Sequence, residues 1–135
     1  MRVLGLDVGD KYIGVAISDA EGITAHGLNR IKREEWVSTI NSIIKEYDGE
    51  IGLIIVGLPR MLDGSVGIQA EKVIRFTEEL KRVISLPVIM WDERLSSVEA
   101  DKTMLGAGIN GRRRKILRDK VAAVIILQSY LDSKR

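Results

Sequence analysis

Residues 51–59, IGLIIVGLP, carry no polar or charged side chain and close on a glycine and a proline. A bilayer span needs about 20 apolar residues, so this run is far too short to be one. A strand with one wet face would alternate polar with apolar residues. The run therefore reads as a strand covered on both faces, parallel to its neighbours and central in its sheet. Such a strand requires helices on both sides, and the flanking sequence supplies them. REEWVSTINSIIKEYD at 33–48 brings Trp36, Ile40, Ile43, Ile44 and Tyr47 to one helical face, with acids early and Lys45 late as the helix dipole favours. IQAEKVIRFTEELKRVI at 68–84 repeats the period through Ile68, Val73, Phe76, Leu80 and Ile84, and LPVIMWDE at 86–93 follows as a second buried strand.

Upstream, residues 2–7 and 12–18 form two β-branched runs separated by a turn, which suggests an antiparallel hairpin, with a third strand inside GITAHGLNRIK. Downstream, Ser96 and Glu99 have the spacing of a capping box and predict a short helix that stops at the glycines of LGAG. RRRKILRDKVAAVIILQSYLDSKR predicts a long closing helix buried along Ile116, Ala123, Ile126, Leu127 and Tyr130. The expected architecture is α/β: a five-stranded mixed sheet with helices on both faces. Its first three strands form an antiparallel meander, and the fourth and fifth run parallel to the first. A chain of 135 residues fits one such domain over 1–135.

The absence of cysteine removes disulfides, thiolate metal sites and thiol nucleophiles, so a metal would be held by oxygen. Asp7 interrupts the N-terminal apolar run too early for a secretory signal, and VAAVIIL at 121–127 is too short to span a membrane, so the cytoplasm is expected. Net charge is only +2, but GRRRK at 111–115, with Arg118 and Lys120 beyond it, concentrates positive charge. Cations at a helix N-terminus oppose the helix dipole, which points to an anionic partner such as a phosphate backbone; a solvated helix start is the ordinary alternative. Aromatic residues make up 4% of the chain and offer few stacking platforms, so backbone and shape recognition fits better than reading of splayed bases.

In mixed sheets of this kind, sites gather at the carboxyl ends of the parallel strands, and two acidic motifs fall there. Asp7 stands at the end of the first strand in LDVG, where Gly9 and Gly14 let the backbone approach a ligand, although an aspartate can also merely cap a turn. MWDER places Asp92 and Glu93 at the end of the fifth, where alternation sends them to opposite faces, so at most one can join Asp7. Glu93 has the longer reach and is preferred, with Asp92 the alternate and a salt bridge from Glu93 to Arg94 the structural option. Asp119 shares a helical face with Ala123, Ile126 and Tyr130, so it needs an inward partner: Lys115 one turn earlier, or a metal. Three acids without histidine or cysteine would make an all-oxygen site suited to Mg²⁺ or Mn²⁺ and to phosphodiester hydrolysis. His26 is not needed for it. The loop VGLPRMLDGS could hold substrate or simply turn the chain.

Taken together, LDVGDKYIGVAISD, IIVGLPRMLDGS, WDERLSSVEA and RDKVAAVIILQSYL resemble the YqgF family, also called RuvX, over nearly the whole chain. The resemblance implies a ribonuclease H-like fold shared with Holliday junction resolvases. It also implies a nuclease for structured nucleic acid, chiefly in 5′-end maturation of the 16S rRNA precursor, junction resolution being the older proposal. By motif, Asp7, Glu93 and Asp119 map onto the acidic centre as catalytic and metal-holding residues. Tyr12 departs from the small polar or basic residue common in the family, which leaves Lys11 as the phosphate contact of that turn. Arg94, Arg112, Arg113, Arg114 and Lys115 complete the expected substrate-binding set. Structured RNA or branched DNA is the expected partner, with no membrane and with room for a homodimer. A sugar-kinase or actin-like ATP-binding fold also opens on D-x-G but needs two lobes, and a non-cutting nucleic-acid-binding module on the same fold is the remaining competitor.

Overall fold

Each run read as a strand becomes one in the computed structural model, which describes residues 1–60, 63–93 and 111–134, without the side chains of 111–120. Strands β1 (Arg2–Val8), β2 (Tyr12–Ser18) and β3 (Ala25–Lys32) form the antiparallel meander. A 3₁₀ turn, Arg33–Glu35, leads into α1 (Trp36–Glu46). β4 (Ile51–Leu58), α2 (Ile68–Val83), β5 (Val88–Asp92) and α3 (Gly111–Ser133) complete the described order. The sheet order is β3-β2-β1-β4-β5, with β4 parallel to both β1 and β5, so β1 is the central strand. The expected capping-box helix lies outside the described residues.

Strand alternation divides the core into two layers. Leu4, Leu6 and Val8 of β1, Ile13, Val15 and Ile17 of β2, and Ile54, Val56 and Leu58 of β4 face α1 and α2, meeting Trp36, Ile40, Val73, Phe76 and Leu80. The Trp36 and Phe76 rings meet edge to face with centroids 4.8 Å apart. Val3, Ala16 and Ile55 face the other way, onto Ala123, Ile126, Leu127, Tyr130 and Leu131 of α3. Helices thus cover both faces, as IGLIIVGLP demands.

Two packing details differ from the periodicity. Ile68 is 77% exposed, because it precedes Val73 by five residues and falls off the face that Ala70, Val73, Phe76 and Leu80 share. Ile89 and Met90 of β5 are each 39% exposed, because among the described strands β5 is an edge of the sheet, paired with β4 alone. Among the described residues no helix is long and apolar enough to cross a membrane.

The direction of α3 decides what stands above the end of β1. Val124 packs over Gly27 and Gln128 accepts a hydrogen bond from the Ala25 amide at 2.9 Å, so α3 runs antiparallel to β3. β3 and β1 point the same way, each being antiparallel to β2, so α3 also runs against β1. Ala123 and Leu127 lie over Gly5, where an added Cβ would come within 2.9 Å of Leu127 Cβ. Going back toward the amino end, the α3 backbone heads for the Asp7 end of β1.

Candidate active site

Asp7 lies one residue before the end of β1, on the sheet face that α3 covers, because it continues the series Val3, Gly5. Its neighbours across the sheet are small. Gly14 of β2 is its antiparallel partner, and the parallel register that sets Leu6 beside Val56 brings Gly57 of β4 alongside on the other side. A carboxylate flanked by two glycines has space above both neighbouring strands.

Glu93 fills part of that space. β5 pairs Gly57 with Trp91 and Leu58 with Asp92. Leu58 belongs to the layer under α1 and α2, and Trp91 packs against the layer under α3. Asp92 therefore points away from Asp7, and Glu93, two residues after Trp91, returns to the Asp7 face. The Glu93 amide extends the ladder by donating to Leu58 O at 3.2 Å. Trp91 holds the strand end in place: its indole N–H donates to Ser129 Oγ at 3.2 Å, and its ring meets Tyr130 edge to face at 5.4 Å.

The Glu93 carboxylate sits directly over Gly57, where any Cβ would collide with Oε2, and would come within 2.7 Å of Ile126 Cδ1. Oε2 is buried and has no hydrogen-bond partner among the described residues. Burial first, then the charges of Asp7 and Asp92, push the Glu93 carboxyl from 4.5 up to about 7. A buried carboxylate oxygen without a donor, beside a second carboxylate, fits a hard divalent cation with oxygen ligands. Among the described residues no three acidic or histidine side chains form a complete cation cage, and the Asp119 side chain lies outside that description.

The remaining expected residues divide by position. Lys11 is exposed in the β1–β2 turn beside Asp7. Arg112, Arg113, Arg114, Lys115 and Asp119 have their backbone in the amino-terminal half of α3; their side chains, and all of Arg94, lie outside the described residues. Gly9 has a structural task instead of a ligand-facing one. Its amide donates to Tyr12 O at 2.9 Å, and a Cβ there would approach that oxygen to 2.8 Å, so glycine is what lets the hairpin close. The loop after β4 turns locally, with Asp63 Oδ1 accepting from the Ser65 amide at 2.9 Å and Gly64 at φ 91°.

Beside Asp7 opens a cleft of about 770 Å³ over the meander, lined by Gly9, Lys11, Tyr12, Gly14, Asn29 and Arg30 among others. Sequence reasoning placed Gly57 only in a loop that could hold substrate or turn the chain, and missed Asn29 and Arg30. For Gly57 a signal is present, a glycine inside an otherwise apolar strand, which marks close approach. For Asn29 and Arg30 no local signal exists, because they reach the site only through strand pairing.

A family model described as RuvX, Holliday junction resolvase, matches residues 1–133. A protein of Thermoanaerobacter pseudethanolicus named as a candidate pre-16S rRNA nuclease is 52% identical, the match covering 100% of this chain and 99% of that protein. A protein of Clostridium novyi with the same name is also 52% identical, over 98% of this chain and 99% of its own length. Among solved structures, T. thermophilus RuvC in complex with Holliday junction substrate matches 99% of this chain and 95% of its own at 13% identity, with a TM-score of 0.55. That likeness is one of fold.

Proposed function

This chain belongs to the RuvX family, and from that premise we propose that it is a divalent-metal-dependent nuclease that hydrolyses phosphodiester bonds in maturing the 5′ end of the 16S rRNA precursor. The observation that carries the chemistry is the buried Glu93 Oε2 beside Asp7, without a hydrogen-bond partner among the described residues. The relatives named for pre-16S rRNA support the choice of substrate, since they match end to end at about half identity.

Asp7 and Glu93 would hold Mg²⁺ or Mn²⁺, Asp119 being the third ligand. The antiparallel course of α3 supports this, as a helical rise of about 1.5 Å per residue sets the Asp119 backbone one turn beyond Ala123, toward the Asp7 end of β1. When bound, such an ion supplies the acidity that readies a water and the charge that steadies the leaving oxygen. The protein's own part is to hold two carboxylates on strand ends, Glu93 in the space that Gly57 provides, and to leave room over Gly14 for a strand backbone. Lys11, and the basic residues Arg94 and 112–115, would meet phosphates of the bound strand. Asp92, turned to the opposite face, raises Glu93 by its charge and is the less suited ligand. The description of the matching family as a junction resolvase supports branched DNA as the second reading.

Purified protein incubated with 5′-extended precursor RNA and with a four-way DNA junction, in Mg²⁺ or Mn²⁺, tests both. The expected result is metal-dependent cleavage of the precursor that Asp7→Asn and Glu93→Gln abolish. Cleavage of the junction alone would replace the first substrate with the second. Salt-dependent binding without cleavage of either would leave a nucleic-acid-binding module.

A further inference from the structure

The pairing of β2 with β3 contains one irregularity, and it lies beside Asp7. Ile13 pairs with Ile31 and Val15 with Leu28, so two residues of β3, Asn29 and Arg30, oppose the single Gly14. A bulge of this kind bends the strand and re-aims side chains, and bulges concentrate next to active sites. Here both Asn29 and Arg30 line the cleft. Gly14, which they oppose, is also the partner of Asp7. The acid, the glycine and the bulge thus form one transverse row across three strands.

Arg30 is not left to sweep through solvent. Its guanidinium lies over the Tyr12 ring, 3.6 Å from the centroid, so the exposed ring of β2 supports a planar cation on β3. Among the described residues no acid forms an ion pair with Arg30. Asp10, the cleft's other acid besides Asp7, is met by Lys72 of α2 at 3.3 Å. A guanidinium stacked through its face keeps its N–H edge free, and that edge matches a phosphate in two-pronged fashion.

We propose that Arg30, stacked on Tyr12 and turned into the cleft with Asn29 by the β3 bulge, grips a backbone phosphate of the nucleic-acid strand on the β3 side of Asp7. It is a positioning residue, which sets the register of the strand over the acids, and it rests on the nuclease reading above. Asn29 adds an uncharged donor to the same phosphate or its sugar. Tyr12 contributes rigidity to the cation and not charge of its own.

The test measures binding of labelled precursor RNA by full-length protein in EDTA across a salt series, alongside cleavage kinetics in metal. Arg30→Gln is expected to weaken binding about tenfold and to reduce the salt slope by about one phosphate contact. The cleavage loss should fall mainly on KM, with kcat changed much less, and the cut should spread to neighbouring positions as register loosens. Arg30→Lys should recover the slope but not the sharpness of the cut, because ammonium lacks the stacked fork. Tyr12→Leu should mimic that partial loss. An unchanged slope and KM in Arg30→Gln, with wild type binding and cutting normally, overturns the role of Arg30 and leaves the nuclease reading intact. Failure of the wild type to bind any RNA or junction DNA overturns both.

Discussion

Glycine at position 57 and glutamate at 93 are fitted to each other, since the carboxylate occupies the volume that any side chain on β4 would claim. Gly57→Ala should displace Glu93 and crowd Ile126, costing about 1–3 kcal/mol of stability and most of the cleavage activity, read by melting and by precursor processing. Glu93 itself is held against its chemistry. Below pH 4.5 it is protonated in folded and unfolded chains alike; between there and its folded value of about 7 only the folded chain keeps the proton, so rising pH favours unfolding. Above that the cost is complete, on the order of 2 kcal/mol once partial exposure is discounted. Without metal, Glu93→Gln should therefore melt above wild type at pH 8 and lose that advantage toward pH 4.5. Equal melting at pH 8 would mean the carboxylate carries no such strain. At this scale the sequence made legible Asp7 and the Asp92–Glu93 pair, of which alternation allows one to face Asp7, whereas Gly57 reads as a turn residue and only the structure lays Glu93 over it.

Among the elements, α3 is seated by close backbone approach. Its Leu127 Cβ and Ala123 O lie against Gly5 of the central strand, with no slack for a methyl group. Gly5→Ala should push α3 off the sheet, lower stability by about 1–3 kcal/mol and loosen the helix's hold above Asp7, so cleavage falls together with amide protection in α3. If protection in α3 is unchanged, the helix is not seated through Gly5. Trp91 extends the same coupling to β5, through Ser129 and Tyr130. The helical periods forecast which helices form, and α1 ends where Asp48 and Gly49 take left-handed conformations at φ 44° and 81°. They could not forecast that β5 would be an edge, because edge and centre differ in neighbours and not in local pattern.

For the molecule as a whole, a net charge of +2 conceals an uneven distribution, with acids at the strand ends and six basic residues in the first half of α3, four of them in succession. Changing Arg112, Arg113 and Arg114 together to Ala should weaken binding of every nucleic acid alike and flatten the salt dependence by about two to three phosphate contacts. An unchanged slope would return that run to a solvated helix start. Millimolar Mg²⁺ or Mn²⁺ should raise the melting temperature of wild type at pH 8 and do so much less for Asp7→Asn, since ligands that bind only the folded state stabilise it. No shift in wild type would remove the metal from the site.

By itself the sequence determined the α/β class, the order of the described strands and helices and the two strand ends that carry acids. These follow from side-chain periodicity and from the rule that a doubly apolar strand must be covered twice, which are local properties. Only the tertiary structure decided that Glu93 and not Asp92 joins Asp7, that Gly57 makes the space for it, and that a bulge delivers Asn29 and Arg30 to the same cleft. Those outcomes depend on register between strands far apart in the chain. A shift of one residue reverses which face a side chain occupies, and no local pattern records it.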